Sequence, residues 1–265
     1  MMPRATSVFL VLLRTSLARH AGIAQSDKTL PMPPVVELIH VAKTAGASIG
    51  AVLRRACKRT ATCRVRATHM EPYRLPNTSV AAIIVALRDP VTRVVSAFNW
   101  RHPMLGGHAI RARPVPENQH ANQLEVALYQ CFGADVDAFA KALWDRSFCG
   151  LVARRNLMEP IAHLGAGLHF HLQEVALGGM ERWVRAAPIF VIRFESMRSD
   201  LDCVLRHVVP GVDLPSRLPL LHSQSRGSKN TTAALSIAGR QRLESLLASE
   251  YFLASELERR AVRCS

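Results

Sequence analysis

From Val35 to Ile49 the chain reads VVELIHVAKTAGASI, so that an apolar run ends in a turn of small residues with one lysine and two hydroxyl groups. This change of character predicts a buried strand that passes through a short turn into a helix. Unpaired N–H groups at a helix start and the positive end of the helix dipole bind anions, and Lys43 adds a full charge there. The stretch therefore predicts an α/β fold with a phosphate-binding turn after its first strand.

The turn differs from the P-loop of ATPases in the order of its residues. A P-loop has a glycine, four residues and then Gly-Lys-Ser/Thr, whereas Lys43 here precedes Gly46. The lysine therefore comes from the strand end and is expected to meet the anion from the other side.

Short apolar runs and helical periodicities alternate along the rest of the chain. The runs at 35–41, 80–87 and 189–194, with a weaker one at 64–68, predict strands. Helices are predicted at 48–57, 91–100, 124–132, 136–144, 156–176, 197–208, 237–248 and 251–262. This alternation predicts a central parallel β-sheet flanked by helices on both faces.

The chain is strongly basic, with a formal net charge of +14 and 29 arginines against five lysines. Such an excess indicates a polyanionic partner, which leaves open nucleic acid, an anionic membrane surface, an acidic glycan or a phosphorylated cofactor. Solvated basic faces are the structural alternative. Only 6% of the residues are aromatic, and no basic stripe is interleaved with aromatics, so binding to nucleic acid is not expected.

Residues 1–30 are predicted to be a targeting or disordered segment, and residues 31–265 a single domain. The apolar run 8–13 is shorter than the ~20 residues that span a bilayer. It fits a signal peptide, with a small-residue cleavage site at 16–18, or an arginine-rich organelle transit peptide. Any association with a membrane is expected through this segment.

Six cysteines occur without a Cys-x-x-Cys motif or a histidine pair at zinc spacing, so no metal site is expected. Three disulfides are allowed in an oxidising compartment, and proximity favours Cys57 with Cys63, although buried thiols remain an alternative. Glycosylation sequons at Asn77 and Asn230 favour the same compartment, with chance occurrence of the motif as the alternative.

The second predicted strand ends in a further candidate anion site. The sequence Leu87-Arg-Asp-Pro90 predicts a helix with Asp89 as its N-cap and Pro90 at its first position. Arg88 is then placed at the carboxyl edge of the sheet, where open α/β folds bind ligands, and Ser96 follows on the same helix. Two such sites predict a ligand with two separated anionic groups.

The two motifs together resemble the sulfotransferase superfamily, in its membrane-associated carbohydrate branch and closest in style to uronyl and heparan-sulfate 2-O-sulfotransferases. KTAGAS at 43–48 looks like the family's 5′-phosphosulfate loop, and LRDPVTRVVSAF at 87–98 looks like its 3′-phosphate motif. Weaker similarities lie at 162–167, 190–201 and 223–230. The resemblance covers roughly residues 35 to 260 and implies a P-loop-NTPase-like sulfotransferase fold.

The resemblance also implies roles for individual residues toward 3′-phosphoadenosine 5′-phosphosulfate (PAPS). The 5′-phosphosulfate would be held by the loop residues Lys43, Thr44, Ala45, Gly46, Ala47 and Ser48. Arg88 and Ser96 would hold the 3′-phosphate, and Arg226 and Ser228 would touch the 3′-phosphate or the adenine. Ala47 departs from the family, which commonly has a hydroxyl residue there.

Sulfuryl transfer needs a cation at the leaving phosphate oxygen and a base for the acceptor proton. Lys43 suits the first role. His69 suits the second, because it follows the weak strand where the 2-O-sulfotransferases place a catalytic histidine. Glu71 and His102 are competing bases, and a surface or core role for His69 is the structural alternative.

The expected activity is transfer of a sulfuryl group from PAPS to a hydroxyl, on an anionic or neutral glycan, in the Golgi lumen. The alternatives are a nucleotide-dependent kinase, a non-catalytic nucleotide- or glycan-binding module, and import into an organelle. The aperiodic stretches 101–122 and 210–232 are interpreted as acceptor-side and cofactor-side loops, or else as surface insertions. Arg193 and Glu195 are expected to form a structural ion pair.

Overall fold

The computed structural model describes residues 33–76, 79–101, 119–160, 163–219 and 235–263, and a four-stranded parallel sheet lies at the centre of this part of the chain. Its strands are β1 (Val35–Ile39), β2 (Arg64–Thr68), β3 (Val80–Leu87) and β4 (Ile189–Arg193). Each coincides with a predicted strand to within two residues. The predicted α/β class with a central parallel sheet is confirmed.

The strands lie in the order β2-β1-β3-β4, so the chain leaves β1 to one side for β2 and then crosses to the other side for β3. Ile39 at the end of β1 pairs with Thr68 of β2 and with Val85 of β3. All four carboxyl ends therefore meet at one edge. A ligand crevice is expected at that edge beside β1, where the direction of the strand order reverses.

The helices lie between and after these strands. Their bounds are α1 Gly46–Thr60, α2 Pro90–Arg101, α3 Gln119–Phe132, α4 Val136–Ala142, α5 Phe148–Met158, α6 Leu168–His171, α7 Met180–Ala186, α8 Met197–Val208, α9 Ile237–Leu246 and α10 Ala248–Arg260. A π-helical segment, Val175–Gly179, leads into α7.

Both faces of the sheet are covered, because alternate side chains of β3 enter two different cores. Ala82, Ile84 and Ala86 pack with residues of α1 and α8. Ile83, Val85 and Leu87 pack with residues of α6, α7 and α10 on the other face. Burial on both sides explains why the strand is a continuous apolar run, since each fully buried aliphatic side chain contributes about 1.5–3 kcal/mol.

Glu37 is a fully buried carboxylate within β1 and is paired across the sheet. Its register partner on β2 is Arg66, which donates from Nε to Oε2 at 2.9 Å. A buried charge is tolerated when it is paired in this way. The pair also accounts for the arginine in the weakly apolar strand β2.

A third cluster of apolar side chains joins α2 to α3, α4, α5 and α9. The rings of Phe98 on α2 and Phe139 on α4 lie 5.3 Å apart at its centre. A disulfide between Cys131 and Cys149 ties α3 to α5. This packing holds α2, and with it the residues that follow β3, against the sheet.

The helix predicted at 156–176 is wrong, because the chain turns sharply after α5 ends at Met158. Gly165 lies so close to α5 that a Cβ atom there would be 1.8 Å from the Glu159 carbonyl oxygen. A Cβ at Gly167 would be 1.7 Å from Glu250 Oε1 of α10. The two glycines let the turn pack between these helices, and Pro160 cannot continue a helix in any case.

The predicted disulfide between Cys57 and Cys63 is present, and Cys203 is disulfide-bonded as well. Disulfides persist in oxidising compartments, so these bonds are compatible with the lumen of the secretory pathway. No helix within the described ranges is long and apolar enough to cross a membrane. The predicted targeting segment and the sequon residues Asn77 and Asn230 lie outside the described residues.

Candidate anion-binding site

The carboxyl edge of the sheet brings together residues that are far apart in the sequence. The amide of His40, directly after β1, donates to the Thr68 carbonyl at 3.0 Å, which places His69 beside it. On the other side, the amide of Phe194 donates to the Leu87 carbonyl at 2.8 Å, beside Arg88. The candidate residues after β2, β1 and β3 therefore lie next to one another along one edge.

The turn between β1 and α1 has an unusual backbone. Lys43 has a φ of 67° and Ala45 a φ of 64°, in the left-handed region that residues other than glycine rarely adopt. The Thr44 hydroxyl donates to the Val41 carbonyl at 2.7 Å and so holds the turn. Strain of this kind clusters at ligand-binding turns, where the surrounding structure maintains it.

Helix α1 begins without a capping side chain. Ala45 occupies the N-cap, no side-chain cap bond is made there, and the first turn contains no acidic residue. The Ala45 carbonyl accepts from the amides of Ser48 and Ile49, at 2.9 and 3.1 Å. The earlier amides, of Gly46 and Ala47, lie at the positive end of the helix dipole in a position suited to an anion.

Gly46 is required by the close approach of His40. A Cβ atom at position 46 would lie 2.0 Å from Cδ2 of the His40 ring. Any larger residue would displace this ring from the start of α1. The glycine therefore keeps the strand end and the helix start in contact, a role distinct from the conformational freedom glycine supplies in a P-loop.

The amino group of Lys43 lies over the ring of Trp100, with Nζ 3.6 Å from the ring centroid. Burial, and then the neighbouring charge of Arg88, lower the pKa of Lys43 to about 8. The lysine thus stays mostly protonated at neutral pH while it is already partly desolvated. Trp100 was not among the predicted site residues, although it follows Ser96 by one helical turn, a spacing that places both on one face of α2.

Arg88 connects the two predicted motifs. Its guanidinium donates from NH1 to the Lys43 carbonyl at 3.2 Å and from Nε to the Thr92 hydroxyl at 3.3 Å. It also stacks over Phe194, 4.4 Å from the ring centroid. Burial lowers its pKa, an effect that the charges of Glu195 and Asp89 oppose. Ser96 lies half-buried one turn beyond Thr92, on the same side of α2.

Helix α2, in contrast to α1, begins with a capped first turn. The Thr92 amide donates to Asp89 Oδ1 at 2.8 Å, so the predicted N-cap is confirmed. The other carboxylate oxygen accepts from the Tyr251 hydroxyl at 2.7 Å. Asp89 therefore serves as a structural cap, and the charge it carries opposes anion binding at the first amides of α2.

His69 is exposed and held in one orientation by its neighbour. Its Nδ1 lies 3.2 Å from the His40 carbonyl oxygen, and the two rings stack with centroids 4.2 Å apart. Because a carbonyl only accepts, this bond places the proton of the neutral ring on Nδ1. Nε2 is then the basic nitrogen. The ring of His163 lies 5.7 Å away and completes this row of imidazoles.

Beneath this row, His171 and Arg93 are buried and support the surrounding loops. His171 Nδ1 donates to the Glu71 carbonyl at 3.1 Å, and burial lowers its pKa to about 4, so the ring is neutral. Arg93 donates to the carbonyls of His163 and Leu164, at 3.0 and 3.2 Å. The backbone of Glu71 is thereby held in place, whereas its side chain is exposed.

Three predicted site residues, Arg226, Ser228 and the competing base His102, lie outside the described residues. The expected ion pair of Arg193 with Glu195 is wrong, because Arg193 pairs with Asp200 at 2.9 Å. Asp200 lies in the first turn of α8 and also accepts from the Arg193 amide. It accepts as well from the hydroxyl of Ser196, the residue before α8, at 2.7 Å, and so links the strand end to the helix start.

No three His, Cys, Asp or Glu side chains in the described part of the chain are grouped so that they could hold a metal ion. Comparison of the chain with models of protein families, with curated proteins and with solved structures finds no match in any of the three. The residues at the sheet edge are thus the basis for a functional proposal.

Proposed function

We propose that the protein is a sulfotransferase that moves a sulfuryl group from PAPS to a hydroxyl of a carbohydrate. The observation that carries the proposal is the direct contact between Arg88 and the Lys43 turn at the edge where the strand order reverses. Two cationic groups and an uncapped helix start then lie together at the edge where a ligand crevice is expected. This arrangement suits a ligand with two separated anionic groups, as PAPS has.

The fold proposed with this activity is the P-loop-NTPase-like sulfotransferase fold. The parallel sheet in the order β2-β1-β3-β4, with a left-handed turn and an uncapped helix start after β1, supports it. The 5′-phosphosulfate would rest on the first amides of α1, and the 3′-phosphate on Arg88 and Ser96. Thr44 would contribute its amide, since its hydroxyl proton is engaged by the Val41 carbonyl.

Lys43 and His69 would divide the chemistry between them. PAPS supplies the sulfuryl group and a phosphate leaving group. The acceptor oxygen forms the new S–O bond while the S–O bond to the phosphate breaks and its electron pair stays with the phosphate oxygen. Lys43 and the α1 amides stabilise the charge on that oxygen, and His69 Nε2 takes the proton from the acceptor.

Charge and disulfides support the proposed acceptor class and compartment. A net charge of +14 favours an anionic acceptor such as an acidic glycan. The disulfides are compatible with the Golgi lumen, where we place the reaction.

A kinase is the principal competing enzyme, and Asp89 weighs against it. A kinase needs a carboxylate free to bind magnesium near the phosphates. Asp89 follows β3 at the required edge, but it caps α2 and accepts from Tyr251. The position of Lys43 ahead of Gly46 also differs from a kinase P-loop.

Ligand-dependent unfolding separates the candidate functions. At a hundred times its Kd, 3′-phosphoadenosine 5′-phosphate should stabilise a sulfotransferase by about 2.7 kcal/mol, while ATP with magnesium should have little effect. If ATP with magnesium stabilised the protein and 3′-phosphoadenosine 5′-phosphate did not, the protein would be a kinase.

Transfer itself is measured with labelled PAPS and a panel of glycans, lipids and small alcohols. Label should appear on a glycan. Binding of the nucleotide without transfer to any acceptor would leave only a nucleotide-binding module.

A further inference from the structure

A cavity lies along α1, away from the candidate anion site. It has a volume of about 530 Å³ and is lined by α1, α8 and the segment after α8. The described lining residues of α1 run from Ala51 to Arg59. Arg55 is about 13 Å along the helix axis from Gly46 at a rise of 1.5 Å per residue. None of the proposed nucleotide-binding residues that the structure describes lines this cavity.

The floor of the cavity is apolar and belongs to the core beneath the sheet. Val52 and Ala56 of α1 and Leu205 of α8 are buried in that core. Leu218, half-buried in the outer segment, packs against the same cluster. A ligand in the cavity would therefore lie against aliphatic side chains on this side.

The rim of the cavity is basic. Arg55, Arg59 and Arg217 are exposed, and none of them forms an ion pair with a carboxylate in the described part of the chain. Asp213 is the single acidic residue among the described lining residues. Arg55 and Arg59 lie one turn apart on α1, where like charges repel and an anion between them would relieve the repulsion.

The outer wall is held in place by a contact with α8. NH1 of Arg198 donates to the carbonyl of Ser216 at 3.0 Å and to that of Pro215 at 3.4 Å. Pro215 and Pro219 further restrict the backbone of this wall. The cavity is therefore formed before any ligand arrives, which reduces the entropy lost on binding.

We propose that this cavity binds a small amphipathic anion, with an aliphatic body on the apolar floor and one phosphate-like head group at the arginines. The volume lies within the usual range of ligand pockets, about 300–1,000 Å³. The described lining contains no aromatic residue on which a nucleobase would stack, which favours an aliphatic body over a second nucleotide. The charge of the rim selects an anion over a neutral lipid.

Calorimetric titration with decyl phosphate below its micelle concentration tests the proposal. Decyl phosphate should bind with one equivalent per chain, and decanol and inorganic phosphate should each bind at least tenfold more weakly. Equal binding of decyl phosphate and decanol would refute a role for the arginines. Equal binding of decyl phosphate and inorganic phosphate would refute a role for the apolar floor in binding.

Three variants locate the binding site. The double variant Arg55→Ala, Arg59→Ala should weaken decyl phosphate at least tenfold, whereas Arg54→Ala, on the same helix but not lining the cavity, should change it less than twofold. Ala51→Trp should weaken it by filling the space. Unchanged affinity in both cavity variants, with unfolding midpoints near that of the parent, would overturn the proposal.

Competition separates this site from the sheet edge. Saturating 3′-phosphoadenosine 5′-phosphate should leave the affinity for decyl phosphate unchanged. Displacement of decyl phosphate by the nucleotide would show that both occupy one site and would overturn the assignment of a second.

Discussion

Helices α1 and α2 both start at the carboxyl edge of the sheet, yet their first turns are built in opposite ways. Helix α1 has the left-handed Ala45 at its N-cap and no capping side chain. Helix α2 has Asp89, whose carboxylate accepts from the Thr92 amide, followed by Pro90. The start of α1 is therefore suited to an anion from a ligand, whereas the start of α2 is already occupied by the Asp89 carboxylate.

For the proposed ligand PAPS, this difference indicates how its two anionic groups would be held. At α1 the backbone amides and the ammonium group of Lys43 provide preorganised positive charge. Such groups stabilise the negative charge that develops in a transition state. At α2 only side chains, Arg88 and Ser96, are available. We therefore assign the chemistry to the α1 side and anchoring to the α2 side. His69 lies on the α1 side, next to His40.

The largest expected effect is that of His69→Ala. Loss of a general base lowers kcat by about 10²- to 10⁴-fold, while affinity for 3′-phosphoadenosine 5′-phosphate should stay unchanged. Transfer from labelled PAPS measures the first quantity and calorimetry the second. His169→Ala, an exposed histidine on α6, is the matched control. Near-full transfer by the His69 variant would move the base to another residue, with Glu71 and His102 the candidates.

Lys43→Ala should lower kcat by about 10²- to 10³-fold, the usual cost of removing one group that stabilises transition-state charge. Nucleotide affinity should fall much less, because the α1 amides remain. Lys58→Ala, an exposed lysine in the last turn of α1, should change neither quantity. If the losses in kcat and in affinity were equal, Lys43 would be a binding residue only.

Arg88→Ala should show the reverse pattern. Nucleotide affinity is expected to weaken by about 1.5–3 kcal/mol, the scale of a hydrogen bond to a charged group, with a smaller change in kcat at saturation. Arg64→Ala, an exposed arginine of β2, controls for the loss of one charge. An unchanged affinity in the Arg88 variant would contradict its assignment as an anchor.

The strands and most helices were predictable because local signals agree with tertiary packing. Strand β3 is apolar on both faces and bounded by turn residues, and α2 begins at a capping signal that the structure retains. The segment 156–176 failed because its course depends on two glycines that pack against Glu159 and Glu250. The contact between Gly167 and Glu250 is remote in sequence, so periodicity cannot indicate it, whereas the contact between Gly165 and Glu159 is local.

At the candidate site, too, some contacts could be predicted from the sequence and others could not. The juxtaposition of Lys43 and Arg88 follows from sheet topology, since the ends of neighbouring parallel strands meet. The contact of Lys43 with Trp100 and the stacking of His40 on His69 are side-chain placements that strand order alone does not determine. Gly46 was the one sequence signal for the position of His40. A glycine there is consistent with a close neighbour, but it does not say which residue that neighbour is.

If Lys43 binds the nucleotide as proposed, its charge should make nucleotide affinity depend on pH. A bound anion favours the protonated lysine, and the pKa of about 8 means that the free protein loses this proton as the pH rises. Affinity should therefore fall about tenfold between pH 7 and pH 9 if the bound lysine stays protonated. Lys43→Arg should remove this dependence in calorimetric titrations at several pH values.

The stability of the unliganded protein should rise with pH, whereas the nucleotide affinity falls. The unfolded chain holds the Lys43 proton up to the ordinary pKa of 10.5, so the free energy of unfolding should rise between pH 8 and pH 10.5 relative to Lys43→Arg. A flat pH profile of both affinity and stability would show that Lys43 is not desolvated in the turn.

The smallest expected effect is that of Asp89→Asn, which removes the charge at the α2 start and keeps a capping oxygen. The Asp89 carboxylate lies close enough to Arg88 to oppose the lowering of its pKa, so it competes with a phosphate for that guanidinium. Nucleotide affinity should rise by about 0.3–1 kcal/mol, the scale of one charge at a helix terminus. Asp89→Ala should lose the cap as well, and with it about 1 kcal/mol of stability, measured by denaturant unfolding. A loss of affinity in the asparagine variant would mean that the carboxylate orients Arg88 rather than competing for it, and the two helix starts would then differ less than their caps indicate.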